Sequence, residues 1–148
     1  MEKTVNIQTS RFGNIIVDES DIYTFPEPIL GFSGLKQYFI INNPKGGPFK
    51  WLQSLESPNL AFVVCDPLVF KPEYQIQIKK EDIAAIKLEN IEDSIVFVMM
   101  VIPKDPLLMT ANLQAPLIFN KKEKLAKQLV LIDSEYEPEY RVFKQTNK

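Results

Sequence analysis

Short apolar segments separated by turn residues are the feature that most constrains the fold of this chain. The strongest turn cluster, NNPKGGP at residues 42–48, separates the apolar residues 38–41 from residues 49–53 and predicts a hairpin. Residues 5–8 and 15–17 flank another turn and predict a second hairpin. A chain built from such pieces is expected to form mainly antiparallel strands.

Other segments extend this prediction. Residues 74–78 alternate between apolar and polar side chains, which is typical of a half-buried strand. Residues 60–65 and 94–102 are short apolar runs that predict strands covered on both faces. Residues 80–88 carry acidic groups at their start and an apolar stripe, so they predict a single short helix packed against a sheet. The residues alone therefore indicate a barrel or packed sheets with one helix.

The length of the chain, 148 residues, is that of about one domain. We expect one domain over residues 1–132, followed by a polar C-terminal tail over residues 133–148. Three acidic residues alternate in that tail with two tyrosines and a proline: Glu135, Tyr136, Glu137, Pro138, Glu139 and Tyr140. An extended tail of this kind would either dock on a basic protein or simply solvate the terminus.

Composition argues against most catalytic and metal-binding classes. The chain has no histidine and one cysteine, Cys65, which lies in an apolar run and is predicted to be an inert core thiol. No glycine-rich phosphate loop is present, the longest apolar run is too short to span a bilayer, and no secretory signal is evident. We therefore expect a cytoplasmic protein that is not an enzyme and has no cofactor, no metal and no membrane contact.

Nucleic acid is also an unfavoured partner. The net charge is −2, and the one basic cluster, four lysines within residues 121–127, has no interleaved aromatic side chains for base stacking. Two alternatives to a protein-binding role remain open from the residues. They are a small β-barrel enzyme with a bound cofactor and a direct RNA-binding module.

The stretch at residues 110–120 combines polar and apolar groups around Pro116, which cannot donate to a β-ladder and marks an edge, a bulge or a bend. Asn112 and Gln114 bracket Leu113, so in a strand both amides would face away from Leu113. The amides either bond to nearby backbone in a bend or form part of a recognition surface. A lysine-rich turn follows, and residues 129–132 are predicted to return as the partner strand.

A second irregular segment, residues 25–34, places large apolar side chains among prolines and glycines. Its members include Ile29 and Phe32. Because loops usually run over the surface, these side chains either turn inward as a plug or form an exposed apolar patch.

Several segments together resemble the FliW family of flagellar assembly factors. They follow the family order over nearly the whole chain and comprise TSRFG at 9–13, FPEPILGF at 25–32, WLQS at 51–54, LAFVV with DP at 60–67, MTANLQAP with IFN at 109–120, and AKQ with VL at 126–131. The resemblance implies an antiparallel β-barrel-like fold. It also implies a cytoplasmic protein that binds flagellin before export and, when free, binds and antagonises the translational repressor CsrA, without binding RNA itself.

These expectations suggest where partners would bind. The terminal regions of flagellin carry amphipathic helical stripes, so a groove with apolar walls and fixed amides would suit them. Acidic groups of the tail and of the loop from Asp18 to Asp21 would assist docking on a basic partner, mostly by raising the association rate. The predicted partner-binding residues are Ile29, Phe32, Asn112, Leu113, Gln114, Glu135 and Glu137.

Overall fold

The computed structural model describes residues 3–132 and 134–143. Within them the chain forms eleven strands and one α-helix, α1 (Lys80–Ala85). The strands are β1 (Thr4–Thr9), β2 (Gly13–Asp18), β3 (Ile22–Thr24), β4 (Gln37–Asn42), β5 (Phe49–Ser54), β6 (Ala61–Cys65), β7 (Ser94–Val101), β8 (Thr110–Ala111), β9 (Leu117–Asn120), β10 (Leu125–Gln128) and β11 (Tyr140–Arg141).

Seven strands close into a barrel in the order β7-β6-β5-β4-β3-β10-β9, with β9 returning to β7. Every pairing is antiparallel except that of β3 with β10, which is parallel and joins Thr24 to Leu125. The predicted fold class, mainly β and barrel-like with one short helix, is confirmed.

The barrel interior is filled by large side chains because each strand turns its alternate residues inward. All seven barrel strands contribute to one buried group, which we call the interior cluster. Its members are Tyr23, Phe25, Ile29, Tyr38, Leu52, Val64, Phe97, Leu117, Phe119 and Ala126. Phe119 makes edge-to-face contacts with three other rings of this cluster, at centroid distances of 5.0 to 5.8 Å.

The first hairpin, β1 with β2, forms a separate two-stranded sheet, as its turn signals predicted. Gly13 opens β2 with a φ of +69°, a left-handed conformation that favours glycine over other residues. Phe12 in the turn packs edge-to-face on Trp51 of β5, with ring centroids 5.1 Å apart. The hairpin therefore lies against the outside of the barrel.

The helix α1 ends in a Schellman motif. The N–H of Leu88 donates to the carbonyl of Ile83 at 2.9 Å, and the N–H of Lys87 donates to the carbonyl of Ala84 at 3.1 Å. This ending requires Lys87 to adopt a φ of +55°, where glycine is usual. Leu88 is buried and packs in one group with Ile83, which we call the outer cluster and which also holds Ile86, Ile118 and Leu129. The predicted helix is present but stops three residues earlier than residue 88.

Two predicted strands differ from the structure. Residues 74–78 keep their alternating burial but do not form a strand, because the alternation identified a buried face and not a pairing partner. The return strand is Leu125–Gln128 rather than residues 129–132, since the turn is completed by Lys124 at a φ of +56°. The amides of Leu129 and Leu131 still donate to carbonyls of the 110–120 stretch. The segment that pairs with the return strand was therefore predicted correctly, whereas the residue at which the return strand starts was not.

The segment predicted as a polar tail packs on the barrel over residues 134–143. Tyr140 and Arg141 form β11, which pairs with β8, and Tyr136 contacts the buried Tyr74 at a centroid distance of 4.6 Å. This differs from a solvated tail because Tyr136 and Tyr140 both pack against the buried group that contains Tyr74. Asp133 and residues 144–148 lie outside the described residues, and the domain boundary at residue 132 stays a prediction.

Candidate partner-binding surfaces

The proline-rich loop at residues 25–34 turns its largest side chains inward. Phe25 is fully buried and Ile29 is 1% exposed, both within the interior cluster. Phe32 is half-buried and meets Phe62 edge-to-face at 4.9 Å. Leu30 is the exception, with 68% of its surface exposed. Of the two arrangements open from the sequence, the structure shows the plug.

The 110–120 stretch bends where Pro116 interrupts the ladder, between β8 and β9. The side-chain oxygen of Asn112 accepts hydrogen bonds from the N–H groups of Gln114 and Ala115, at 3.2 and 3.1 Å. Leu113 is fully buried. Asn112 therefore holds the bend together, which is the first of the two alternatives derived from the sequence, and Gln114 lies beside it half-buried.

The groove expected from Ile29, Phe32 and Leu113 is not formed. Ile29 and Phe32 pack with the interior cluster, whereas Leu113 belongs to a different buried group with Tyr74 and Met109, which we call the end cluster. Burying these apolar side chains stabilises the domain more than exposing them would, so the loop closes on itself. A partner-binding role for Ile29, Phe32, Asn112, Leu113 and Gln114 stays a prediction.

The acidic residues of the 134–143 segment are presented outward. Glu135 and Glu137 are exposed, while the backbone carbonyl of Glu137 accepts a hydrogen bond from the N–H of Leu113 at 3.0 Å. The hydroxyl of Tyr136 accepts from the N–H of Gln75 at 3.0 Å. Lys71 lies 4.9 Å from the centre of the Tyr140 ring. The barrel thus holds the backbone of this segment in place, and the carboxylates remain available to solvent or a partner.

A cleft of about 790 Å³ opens beside this segment. One wall is formed by residues 75–77 and 79 with the start of α1, the other by residues 127–132, and Glu27 with residues 134–136 completes the lining. Val130 and Ile132 are 51% and 75% exposed within it. Sequence reasoning missed this site because it assigned both walls to ordinary strands. The sequence does contain one signal for this cleft, which is that the apolar Val130 and Ile132 follow directly after a polar turn and strand.

Negative charge predominates in this cleft. Four carboxylates, Glu27, Glu81, Asp82 and Glu135, line it together with two ammonium groups, Lys79 and Lys127. The ammonium of Lys127 lies 3.0 Å from the Asp82 carboxylate, and this hydrogen bond raises the pKa of Lys127. Three carboxylates therefore face the cleft against one further lysine, which favours a basic ligand.

A second acidic surface lies where β2 leads into β3. Asp18, Glu19 and Asp21 follow one another around a single turn of 3-10 helix. The N–H and hydroxyl groups of Ser20 donate to the Asp18 carboxylate, at 3.0 and 2.9 Å, and these bonds lower the pKa of Asp18. The turn thus keeps a negative charge at its start down to acidic pH.

The described residues offer little for covalent or metal chemistry. Cys65 is buried, and desolvation, with a smaller effect of Asp66, raises the pKa of its thiol to about 11, so the reactive thiolate is scarce at neutral pH. Across residues 3–132 and 134–143, no group of three or more Cys, Asp or Glu side chains is placed to hold a metal ion. No helix in that part of the chain is long and apolar enough to cross a membrane.

Comparisons with known proteins agree with this fold. The family model described as FliW protein matches residues 6–142. Proteins named flagellar assembly factor FliW are similar over most of their length. The one from Bdellovibrio bacteriovorus is 41% identical, covering 86% of this chain and 73% of its own, and the one from Thermoanaerobacter pseudethanolicus is 43% identical, covering 89% of each.

A solved structure supports the same conclusion. The crystal structure of the flagellar assembly factor FliW superposes with a TM-score of 0.90 at 30% sequence identity, covering 97% of this chain and 100% of that one. The likeness therefore extends through the barrel and through most of the segment after residue 132. This chain belongs to the FliW family of flagellar assembly factors.

Proposed function

We propose that this protein binds flagellin in the cytoplasm before export and, when free of flagellin, binds and antagonises a CsrA-type translational repressor. Such a protein couples the synthesis of flagellin to its export. The observation that carries the proposal is the family match over residues 6–142, together with full coverage of a solved flagellar assembly factor.

The surface of the molecule is consistent with a protein-binding role. Acidic groups gather at the surface in the turn at Asp18–Asp21 and in the cleft beside Glu135. An RNA-binding repressor carries a basic surface, so these groups would steer its approach and repel RNA itself. Because both acidic sites are at the surface, binding to the repressor is expected to weaken as salt is added.

The test uses purified protein, flagellin and CsrA-type repressor from the same organism. Calorimetric titration should show binding to each partner separately, and saturating flagellin should suppress binding to the repressor. In a gel shift with the flagellin transcript leader, the protein should release RNA from the repressor and should not shift RNA alone. A direct shift of the RNA would favour the RNA-binding alternative, and no binding to either partner would overturn the proposal.

A further inference from the structure

Beyond the end of β10 at Gln128, the backbone of residues 129–131 keeps hydrogen bonding to the 110–120 stretch on one side only. The N–H groups of Leu129 and Leu131 donate to the carbonyls of Pro116 and Gln114, each at 2.8 Å. In an antiparallel ladder the main-chain groups of the intervening residue point to the opposite side. The backbone of Val130 therefore faces away from the 110–120 stretch.

In the part of the chain that the structure describes, no strand pairs with that opposite side beyond Leu125, and the proline-rich loop reaches it only at Gln128, whose side-chain oxygen accepts from the N–H of Leu30 at 3.0 Å. The pairing of β10 with β3 is confined to Leu125 and Thr24, after which the chain leaves through the proline-rich loop. Among residues 3–132 and 134–143, the N–H groups of Val130 and Ile132 have no hydrogen-bond partner. An open edge with exposed apolar side chains normally pairs with another strand, and natural proteins usually protect it.

The opposite wall of the cleft offers further main-chain groups. Residues 76–78 are not part of any strand, and within the described residues their N–H groups are also unpartnered. Their neighbour Gln75 is fixed by the hydroxyl of Tyr136, so the wall is anchored at one end. A ligand in the cleft thus lies beside unpartnered N–H groups of residues 76, 77, 130 and 132.

Charge and shape together indicate the class of ligand. The side chains of Val130 and Ile132 present an apolar face, and the carboxylates of Glu27, Glu81 and Glu135 surround it. A helix satisfies its own backbone and would leave these donors unused, whereas an extended segment has carbonyl groups to offer. Apolar side chains alternating with lysine or arginine would cover the face and reach the carboxylates.

We propose that this cleft binds an extended, basic segment of the translational repressor by β-strand addition to residues 128–132. The inference rests on the proposed function, because it takes the repressor rather than flagellin as the occupant. The added strand pairs with Val130, and its basic side chains lie beside Glu81 and Glu135.

Hydrogen exchange on the whole protein tests whether the repressor pairs with the backbone of residues 128–132. The amides of residues 76–78, 130 and 132 should exchange at least tenfold more slowly with the repressor bound, and flagellin should not protect them in this way. If the repressor binds while these amides exchange as in the free protein, the inference is overturned and the proposed function stands. If the repressor does not bind at all, the proposed function has failed. Protection by flagellin alone would also overturn the inference.

Variants test the edge and the charges separately. Val130→Pro removes the free N–H and replaces the valine side chain by a ring, a change that an edge position tolerates, and should weaken repressor binding tenfold or more. Val130→Ile keeps that N–H and should bind as the unmodified protein does.

The double change Glu81→Lys with Glu135→Lys should weaken binding by about tenfold at low salt. Glu89→Lys with Glu92→Lys, outside the cleft, is the matched control, and an equal loss there would contradict a specific role for the cleft.

Discussion

Replacing Ile29 by alanine separates a structural role for the proline-rich loop from a direct role in binding. Ile29 is 1% exposed and lies in the interior cluster beside Phe25 and Tyr38. The change removes three carbon atoms, which at about 0.8 kcal/mol each corresponds to roughly 2.4 kcal/mol of lost burial. The cavity left behind adds to this, so the free energy of unfolding should fall by about 3 kcal/mol.

The neighbouring residue provides the control. Leu30 follows Ile29 directly but is 68% exposed, so Leu30→Ala should change the free energy of unfolding by about 0.5 kcal/mol or less. Both variants keep the backbone of the loop intact. The comparison therefore isolates burial of the side chain.

Urea unfolding followed by circular dichroism measures both changes, and flagellin titration is done on the same preparations. For a domain of this size, the loss in Ile29→Ala corresponds to a fall in Tm of roughly 6 to 12 °C. Flagellin affinity should be retained at temperatures where the variant is folded. Weakened flagellin binding with an unchanged Tm would refute this reasoning and support the predicted role of Ile29 as a contact residue.

Four further changes have expected outcomes. Asn112→Ala removes the acceptor for two backbone N–H groups and should cost about 1 to 2 kcal/mol in urea unfolding, whereas Asn112→Asp retains the acceptor and should cost less. Lys87→Gly relieves the left-handed conformation and should raise the free energy of unfolding by about 0.5 to 1 kcal/mol; a loss would show that the lysine makes a compensating contact. Tyr74→Phe leaves the carbonyl of Leu113 without its 2.7 Å bond and should cost about 1 to 3 kcal/mol. Burial raises the pKa of Cys65 from 9.0 to about 11, so the folded state holds this proton more tightly; stability should be constant up to about pH 9 and fall towards pH 11, and Cys65→Ala should reduce that slope.

Turn chemistry was the most predictable part of this fold. The cluster at residues 42–48 contains glycines with φ of +81° and +93°, which only glycine adopts freely, and it joins β4 to β5 as expected. The hairpin around Gly13 followed from the same reasoning. These features depend on a few adjacent residues, so they are visible in the sequence.

Pairing over long distances was less predictable. Residues 74–78 show the alternation of a strand, but whether a strand exists depends on a neighbour that supplies hydrogen bonds, and the sequence does not name that neighbour. Residues 134–143 look polar because three carboxylates alternate with Tyr136, Pro138 and Tyr140, although the tyrosine rings decide how the segment packs. In both cases the local sequence pattern described the character of the side chains correctly but did not predict how the backbone pairs.

The candidate site was predictable only in part. The amide of Asn112 and the outward carboxylates of Glu135 and Glu137 followed from residue type and spacing. The cleft did not, because it arises where β10 outlasts its neighbour β3 and a non-strand segment covers one side. Strand ends are set by tertiary packing, which sequence patterns locate poorly.

The parallel contact of β3 with β10 has a consequence for the order of folding. It joins Thr24 to Leu125, which lie about a hundred residues apart in the chain, so the barrel cannot close on the ribosome until β10 has been synthesised. Until then β3 has one unpaired edge, and β9 has no partner on the side that β10 will occupy. Nascent or truncated chains that lack β10 are therefore expected to aggregate, so this protein most needs a chaperone in the interval between the synthesis of β9 and that of β10.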